Sequence, residues 1–252
     1  MPFYDLDKDK RNELVAKINK EIHVDLTKGE NNSIIHYFNE EDIYIRKTAY
    51  LAIGRIYKEH KPLQLKILNQ LSYLFQSRYE KVRQTVINAA GEIGIFDYEP
   101  INNLMEAGLF DKHHSVRNAV IGSMKKMGEK NPKPVLAFAK KYLHHEDKEI
   151  RREICHGIEL RGRKYPQDIL PLLKELQYDK TARVRNTLVH VLGQIAYKKG
   201  CLETVIEDLK SWDNKALVKE AIEEIIDVHH RYRNFAVKTQ EEAREYIIKH
   251  YN

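Results

Sequence analysis

A β-branched residue followed by a basic one recurs along this chain at a nearly constant interval: Ile45-Arg46, Val82-Arg83, Val116-Arg117, Ile150-Arg151, Val184-Arg185 and Val218-Lys219. The basic residues are spaced by 37, 34, 34, 34 and 34 positions. Three residues after each stand Ala49, Val86, Val120, Ile154, Leu188 and Ile222, and seven after stand Ile53, Ala90, Met124, Ile158, Leu192 and Ile226. Offsets of −1, +3 and +7 fall on one stripe of an α-helix, so each unit contains an amphipathic helix with one buried face. Six units in phase constrain the fold more than any other feature, because a repeat of this length is one supersecondary unit that must stack on its neighbours.

Each of these helices is preceded by another apolar segment with spacings of three and four: Leu63–Phe75, Ile101–Leu109, Pro134–Tyr142, Ile169–Leu176 and Leu202–Leu209. Pro132, Pro134 and Pro166 lie at or near helix starts, where a missing N–H costs least. Asp42, Asp111, Asp147, Asp179 and Asp213 precede the second helices and suit N-cap or turn roles. Gly128 and Gly200 are expected to end second helices. Residues 8–28 read as a capping helix ending near Gly29, and Thr239-Gln240-Glu241-Glu242 opens a C-terminal one with a capping-box pattern.

The expected fold is therefore all-α: a right-handed α-α superhelix of about six helix pairs in a single solenoid over residues 1–252. Residues 1–32 form the N-terminal cap, 33–232 the repeats and 233–252 the C-terminal capping helix. A period near 34 also suits tetratricopeptide repeats, but their tryptophan, small-residue and aromatic pattern is absent and the chain has one tryptophan, Trp212. Aspartate in the turn with Val/Ile-Arg opening the second helix resembles the HEAT repeat over about residues 33–230. The resemblance implies an armadillo-type solenoid whose second helices line the concave side.

Charge narrows the ligand class. Residues 112–199 hold 20 Lys+Arg and 9 Asp+Glu, a balance of +11, whereas the rest holds 23 and 28, a balance of −5. A basic middle between mildly acidic ends points to an acidic partner. No apolar run reaches 18 residues, which argues against a membrane span. A charged N-terminus without an apolar core argues against a secretory leader. Two cysteines, Cys155 and Cys201, make no disulfide framework, so a cytoplasmic protein is expected.

The recurring Arg46, Arg83, Arg117, Arg151 and Arg185 read as a structural ladder of inter-repeat ion pairs beside the turn aspartates. The better binding candidates break the repeat. With Ile150, Ile154 and Ile158 turned inward, Arg152, His156 and Glu159 are expected on an adjacent, more exposed face, and Arg161, Arg163 and Lys164 extend positive charge past the helix end. Asn186, His190 and Gln194 hold the corresponding stripe in the next unit, and Asn118, Gly122 and Lys126 in the previous one. The binding set read from the sequence is thus Asn118, Lys126, Arg152, His156, Arg161, Arg163, Asn186 and His190. Such a stripe serves either to contact phosphates and sugars or as an ordinary solvated face.

Asn131-Pro132-Lys133-Pro134-Val135-Leu136, the Ile-Arg-Arg of 150–152, Arg161-Gly162-Arg163 and the 171–185 segment resemble the alkylpurine-DNA-glycosylase family of HEAT-like repeat proteins. The resemblance covers about residues 131–212 and implies a basic groove for damaged duplex DNA, with Arg152, Arg161 and Arg163 contacting the DNA. The chain departs from that pattern: His156 stands before Gly157 where an acid is expected, and no tryptophan follows Arg163 closely. Excision of a cationic base needs a carboxylate near the developing positive charge, for which Glu153 and Glu159 are the nearby candidates.

Metal-site spacing is not found: His113-His114, His144-His145 and His229-His230 are adjacent pairs rather than i, i+4 pairs. Cys155 and His156 point about 100° apart on a helix, which argues against a thiolate–imidazole dyad. No phosphate loop, dinucleotide fingerprint or nucleophile elbow occurs. The leading expectation is a non-enzymatic binding module without cofactor or metal, its basic groove taking an acidic partner, DNA first. A protein–protein scaffold and a glycosylase with a rearranged site are the alternatives.

Overall fold

The computed structural model describes residues 2–251, and among these there are α-helices and short 3-10 turns but no strand. The chain divides into two compact units, 1–123 and 124–252. The first contains α1 (Lys8–Lys28), α2 (Asn32–Phe38), α3 (Ile43–Glu59), α4 (Gln64–Leu74), α5 (Glu80–Gly94), α6 (Asn102–Leu109) and the opening turns of α7 (His114–Lys130). The second contains the rest of α7, then α8 (Pro132–Tyr142), α9 (Lys148–Gly157), α10 (Glu159–Gly162), α11 (Leu170–Glu175), α12 (Ala182–Ala196), α13 (Cys201–Lys210), α14 (Lys215–Arg231) and α15 (Gln240–His250). The fold is an all-α solenoid of HEAT-like helix pairs. In the first unit α1, α3 and α5 pack in sequence, and in the second α9, α12 and α14 do.

The repeating stripe explains that stacking. Val82, Val86 and Ala90, then Ile150, Ile154 and Ile158, then Val184, Leu188 and Leu192 are all at most 3 % exposed. Each buried branched side chain contributes about 1.5–3 kcal/mol, which one helix pair alone could not collect on both faces. The first helices supply the other half of the core, among them Ile67 and Leu71 in α4, Val135 and Phe138 in α8, and Val205 and Ile206 in α13. The last repeat departs from the expected phase. Ile222 and Ile226 are half-buried, while Ala221, Ile225 and Val228 are buried, because α14 packs against α15 as well as α12.

Local signals end the helices, with three corrections. Gly29 (φ 78°) and Gly200 (φ 74°) take the left-handed conformation after α1 and before α13. Gly128, expected at a helix end, lies inside α7, which continues to Lys130. Asp42 and Asp147 cap α3 and α9 through their side chains, but Asn214 rather than Asp213 caps α14. The second helix of the fourth repeat, expected to be continuous, is broken at Ile158 into α9 and α10. Its last residue, Gly157, lies against Met124, where a Cβ would come within 2.9 Å of the sulfur.

The turn aspartates and the recurring arginines form buried clamps. Arg83 grips Asp111 through Nε (2.6 Å) and Nη2 (3.0 Å) and donates Nη1 to the Ser77 carbonyl. Arg151 holds Asp179 the same way (2.5 and 3.1 Å) and reaches the His145 and Glu146 carbonyls. Each pair is separated by 28 residues, so a guanidinium of one repeat secures the turn of the next. Arg117 and Arg185 donate to the carbonyls of Asp111 and Asp179, and Arg46 to those of Glu40 and Glu41. Burial works to raise the Asp111 and Asp179 carboxyls, but the arginine hydrogen bonds outweigh it and hold both below the usual carboxylate range.

Candidate functional site

In the second unit, α9 and α12 place polar side chains around an open pocket of about 400 Å³ lined by Arg152, His156, Arg183, Asn186, Thr187 and His190. On α12 the spacing 183, 186, 187, 190 is i, i+3, i+4, i+7, so these four share one helical face. Arg152 and His156 form the matching face of α9, one turn apart. Glu149 lies between the two arginines, 2.9 Å from Arg152 Nε and 3.1 Å from Arg183 Nη1. Arg183 remains the most open of these cations, with 64 % of its side chain accessible.

Behind His156 lies an ionic network. Glu159 is 1 % exposed, which corrects the expectation that it lies on the open face. The break after α9 tucks it beneath His156, 3.0 Å from Nε2. Lys125 Nζ reaches both Glu159 (2.9 Å) and His156 Nε2 (2.8 Å), and Arg163 takes the other carboxylate oxygen at 2.5 Å while also donating to Gln194. Burial alone would raise the Glu159 carboxyl; the hydrogen bonds from His156 and Lys125, with the charges of Lys125 and Arg163, override it and hold the group at about 2. The network has a trace in the sequence. Eight residues after the recurring arginine stand Gly54, Gly91 and Gly193, but Lys125 and Glu159 occupy that position in the third and fourth repeats. Where glycine lets helices approach closely, these two repeats place an ion pair instead; a Cβ at Gly193 would come 2.7 Å from Glu224 Cγ.

His156 and His190 stand one 34-residue period apart and meet edge to face, their ring centroids 5.9 Å apart. His190 Nδ1 is 3.6 Å from Glu224 Oε1, the same oxygen that Arg231 Nη2 grips. Burial lowers the His190 imidazole, with the neighbouring carboxylates Glu159 and Glu224 opposing and His156 and Arg231 adding to the shift, so it is neutral at pH 7. His156, Glu159 and His190 present donor atoms within 4.8 Å of one another, a grouping that lies outside the i, i+4 histidine pattern. Its signal was the His-x-x-Glu spacing of 156–159 combined with the repeat period. Chemically the cluster is already supplied with a cation, because the Lys125 ammonium bonds the carboxylate oxygen a metal ion would use and stands 2.8 Å from the same imidazole nitrogen.

Of the residues expected to bind, Arg152, His156, Asn186 and His190 meet in the pocket. Arg183 and Thr187 join them and were missed, although both follow from the helical spacing on α12. Arg161 and Arg163 do not line the pocket. Arg161 is bound to Asp168 (2.6 Å) and stacks over Tyr165 (3.9 Å), and Arg163 is spent on Glu159 and Gln194. Asn118 is exposed in the first unit, and Lys126 is half-buried on α7. Glu153 is 1 % exposed, with one oxygen 3.5 Å from Arg152. Neither Glu153 nor Glu159 lines the pocket.

No family model matches this chain, and no curated protein matches it. Solved structures do. An archaeal HEAT-like repeats protein from Thermococcus onnurineus NA1 is 15 % identical over 88 % of this chain and 98 % of that one, with a TM-score of 0.40. Kap95p, in a structure with RanGDP, is 15 % identical over 81 % of this chain but 31 % of its own length, with a TM-score of 0.47. A computationally designed armadillo repeat protein for modular peptide recognition is 18 % identical over 77 % of this chain and 97 % of that one, with a TM-score of 0.34. Among the described residues no helix is long and apolar enough to cross a membrane.

Proposed function

We propose that this solenoid is a non-enzymatic binding scaffold whose α9–α12 pocket receives an acidic segment of a partner protein. One observation carries the reading: Arg152, Arg183 and Asn186 line one open concavity beside two imidazoles, with 64 % of the Arg183 side chain accessible. Guanidinium and amide donors at this spacing suit aspartate and glutamate side chains on an extended segment. Binding to a nucleic-acid backbone draws instead on rows of cations free to replace counterions. Here Arg161 and Arg163, the cations expected past the helix end, are neutralised by Asp168 and Glu159 and lie outside the pocket. The buried, fully engaged Glu159 gives no support to base excision either, since its oxygens are filled by Lys125 and Arg163.

The +11 balance of residues 112–199 favours the second reading, DNA, and one experiment separates the two. Fluorescence anisotropy of the full chain is measured against a labelled Asp/Glu-rich peptide and a labelled duplex at low and moderate salt. The expected result is peptide binding weakened about tenfold or more by Arg183→Gln, as for loss of a charge-assisted hydrogen bond. Salt-steep duplex binding without peptide binding would replace this reading with the nucleic-acid one.

A further inference from the structure

The two imidazoles of the α9–α12 pocket occupy one register of the repeat. Five residues after the recurring basic residue stand Gly122, His156, His190 and Glu224 in the third to sixth repeats. His190 therefore has an imidazole on one side and a carboxylate on the other. The His156 ring centroid is 5.9 Å away, and Glu224 Oε1 is 3.6 Å from His190 Nδ1. His190 keeps 43 % of its side chain accessible, so a proton reaches it from water.

The titratable and charged groups around His190 come from each neighbouring helix. Arg152 and His156 stand on α9, Glu159 on α10, Glu224 and Arg231 on α14, and Arg183 on its own α12, with Lys125 of α7 behind His156. Neither nearby carboxylate is free to hold an imidazolium. Glu159 is engaged by Lys125 and Arg163, and Glu224 Oε1 by Arg231. The two guanidiniums lining the pocket, Arg152 and Arg183, oppose a further positive charge beside them. Burial acts in the same direction and lowers His190 below its ordinary value.

A carboxylate entering beside Arg183 reverses this balance. It brings a negative charge that no other group of the chain has claimed, and an opposite charge within about 4–6 Å favours the protonated imidazole. We propose that the pocket takes up a proton on His190 together with an acidic segment, so that it grips that segment more tightly as the solution becomes mildly acidic. This rests on the reading of the pocket as an acidic-peptide site. The sign follows from linkage: the imidazole binds its proton more weakly in the free chain than in the complex. Affinity then rises as pH falls through the value in the complex, and levels off below the value in the free chain. Peptide Asp and Glu, with ordinary values of about 3.9 and 4.3, stay ionised over this window.

The test titrates the labelled Asp/Glu-rich peptide into the full chain by anisotropy at about pH 7.5 and about pH 5.5, at constant ionic strength, across the range in which an imidazole titrates. Calorimetry at an intermediate pH in two buffers of different ionisation enthalpy counts the protons exchanged. The expected result is binding about three- to tenfold tighter at the lower pH, as for a rise of about half to one pH unit in the imidazole on binding, with net proton uptake. In His190→Gln the two affinities should agree within about twofold, because glutamine does not titrate. Peptide binding that ignores pH, binding without proton uptake, or a pH gain kept whole in His190→Gln would each overturn the proposal while leaving the acidic-peptide reading in place. Absence of peptide binding at both pH values would overturn both.

Discussion

Replacing Glu159 by glutamine tests whether the ionic network under the pocket holds the fourth repeat together. Two routes set the magnitude. Holding the carboxyl at about 2 instead of its ordinary 4.5 corresponds to about 3 kcal/mol of folding stability. Breaking a buried ion pair by removing one partner costs about 3–5 kcal/mol, and here Lys125 and Arg163 would both be left facing an uncharged amide. The carboxyl is depressed in the folded chain, so its contribution is complete above the unfolded value of 4.5 and fades as pH falls towards 2. Urea unfolding followed by far-UV circular dichroism should show a loss of about 3 kcal/mol in Glu159→Gln at pH 7. The gap between the two chains should close as both are taken from pH 5 to 2.5. A loss below about 1 kcal/mol at pH 7, no more than an ordinary surface pair is worth, would refute the reasoning. So would a gap that does not change with pH.

Arg151→Met leaves the Asp179 carboxylate buried without its guanidinium, and should cost about 3–5 kcal/mol in the same urea assay. Because the arginine holds Asp179 below its ordinary value only in the wild type, the gap between the two chains should narrow as pH falls through the acid range. Gly162→Ala places a methyl 2.3 Å from Ile169 Cδ1 and 2.8 Å from Ile195 Cγ2, and overpacking of this kind lowers stability by about 1–3 kcal/mol, readable as a lower Tm. Thr239→Ala removes the hydroxyl that accepts from Glu242 N–H, the side-chain half of the α15 capping box, and should cost about 1 kcal/mol, measured by amide exchange at Glu242.

Much of the fold could be read along the chain because helix periodicity and repeat period are properties of sequence spacing. The −1, +3 and +7 positions around Arg83, Arg151 and Arg185 name their buried residues without reference to any neighbour. The same rule slipped at Ile222 and Ile226, where α15, an element outside the repeat, turned the buried face of α14. Four pocket residues were legible for a similar reason: a 34-residue period carries Arg152 to Asn186 and His156 to His190 on adjacent helices.

What the sequence determined alone was therefore the all-α repeat, its core stripe and the row of polar positions beside it. The tertiary structure decided which charges are available. Arg161 and Arg163 look alike in a sequence, yet their partners Asp168 and Glu159 stand seven and four residues away and are set by where α9 breaks and how the following turn folds. Glu159 was read as an exposed candidate acid and is a buried hub, because Lys125, thirty-four residues before it, meets it only when α7 stacks on the fourth repeat. Spacing along a helix states which face a residue occupies, whereas burial and pairing depend on the element that covers that face.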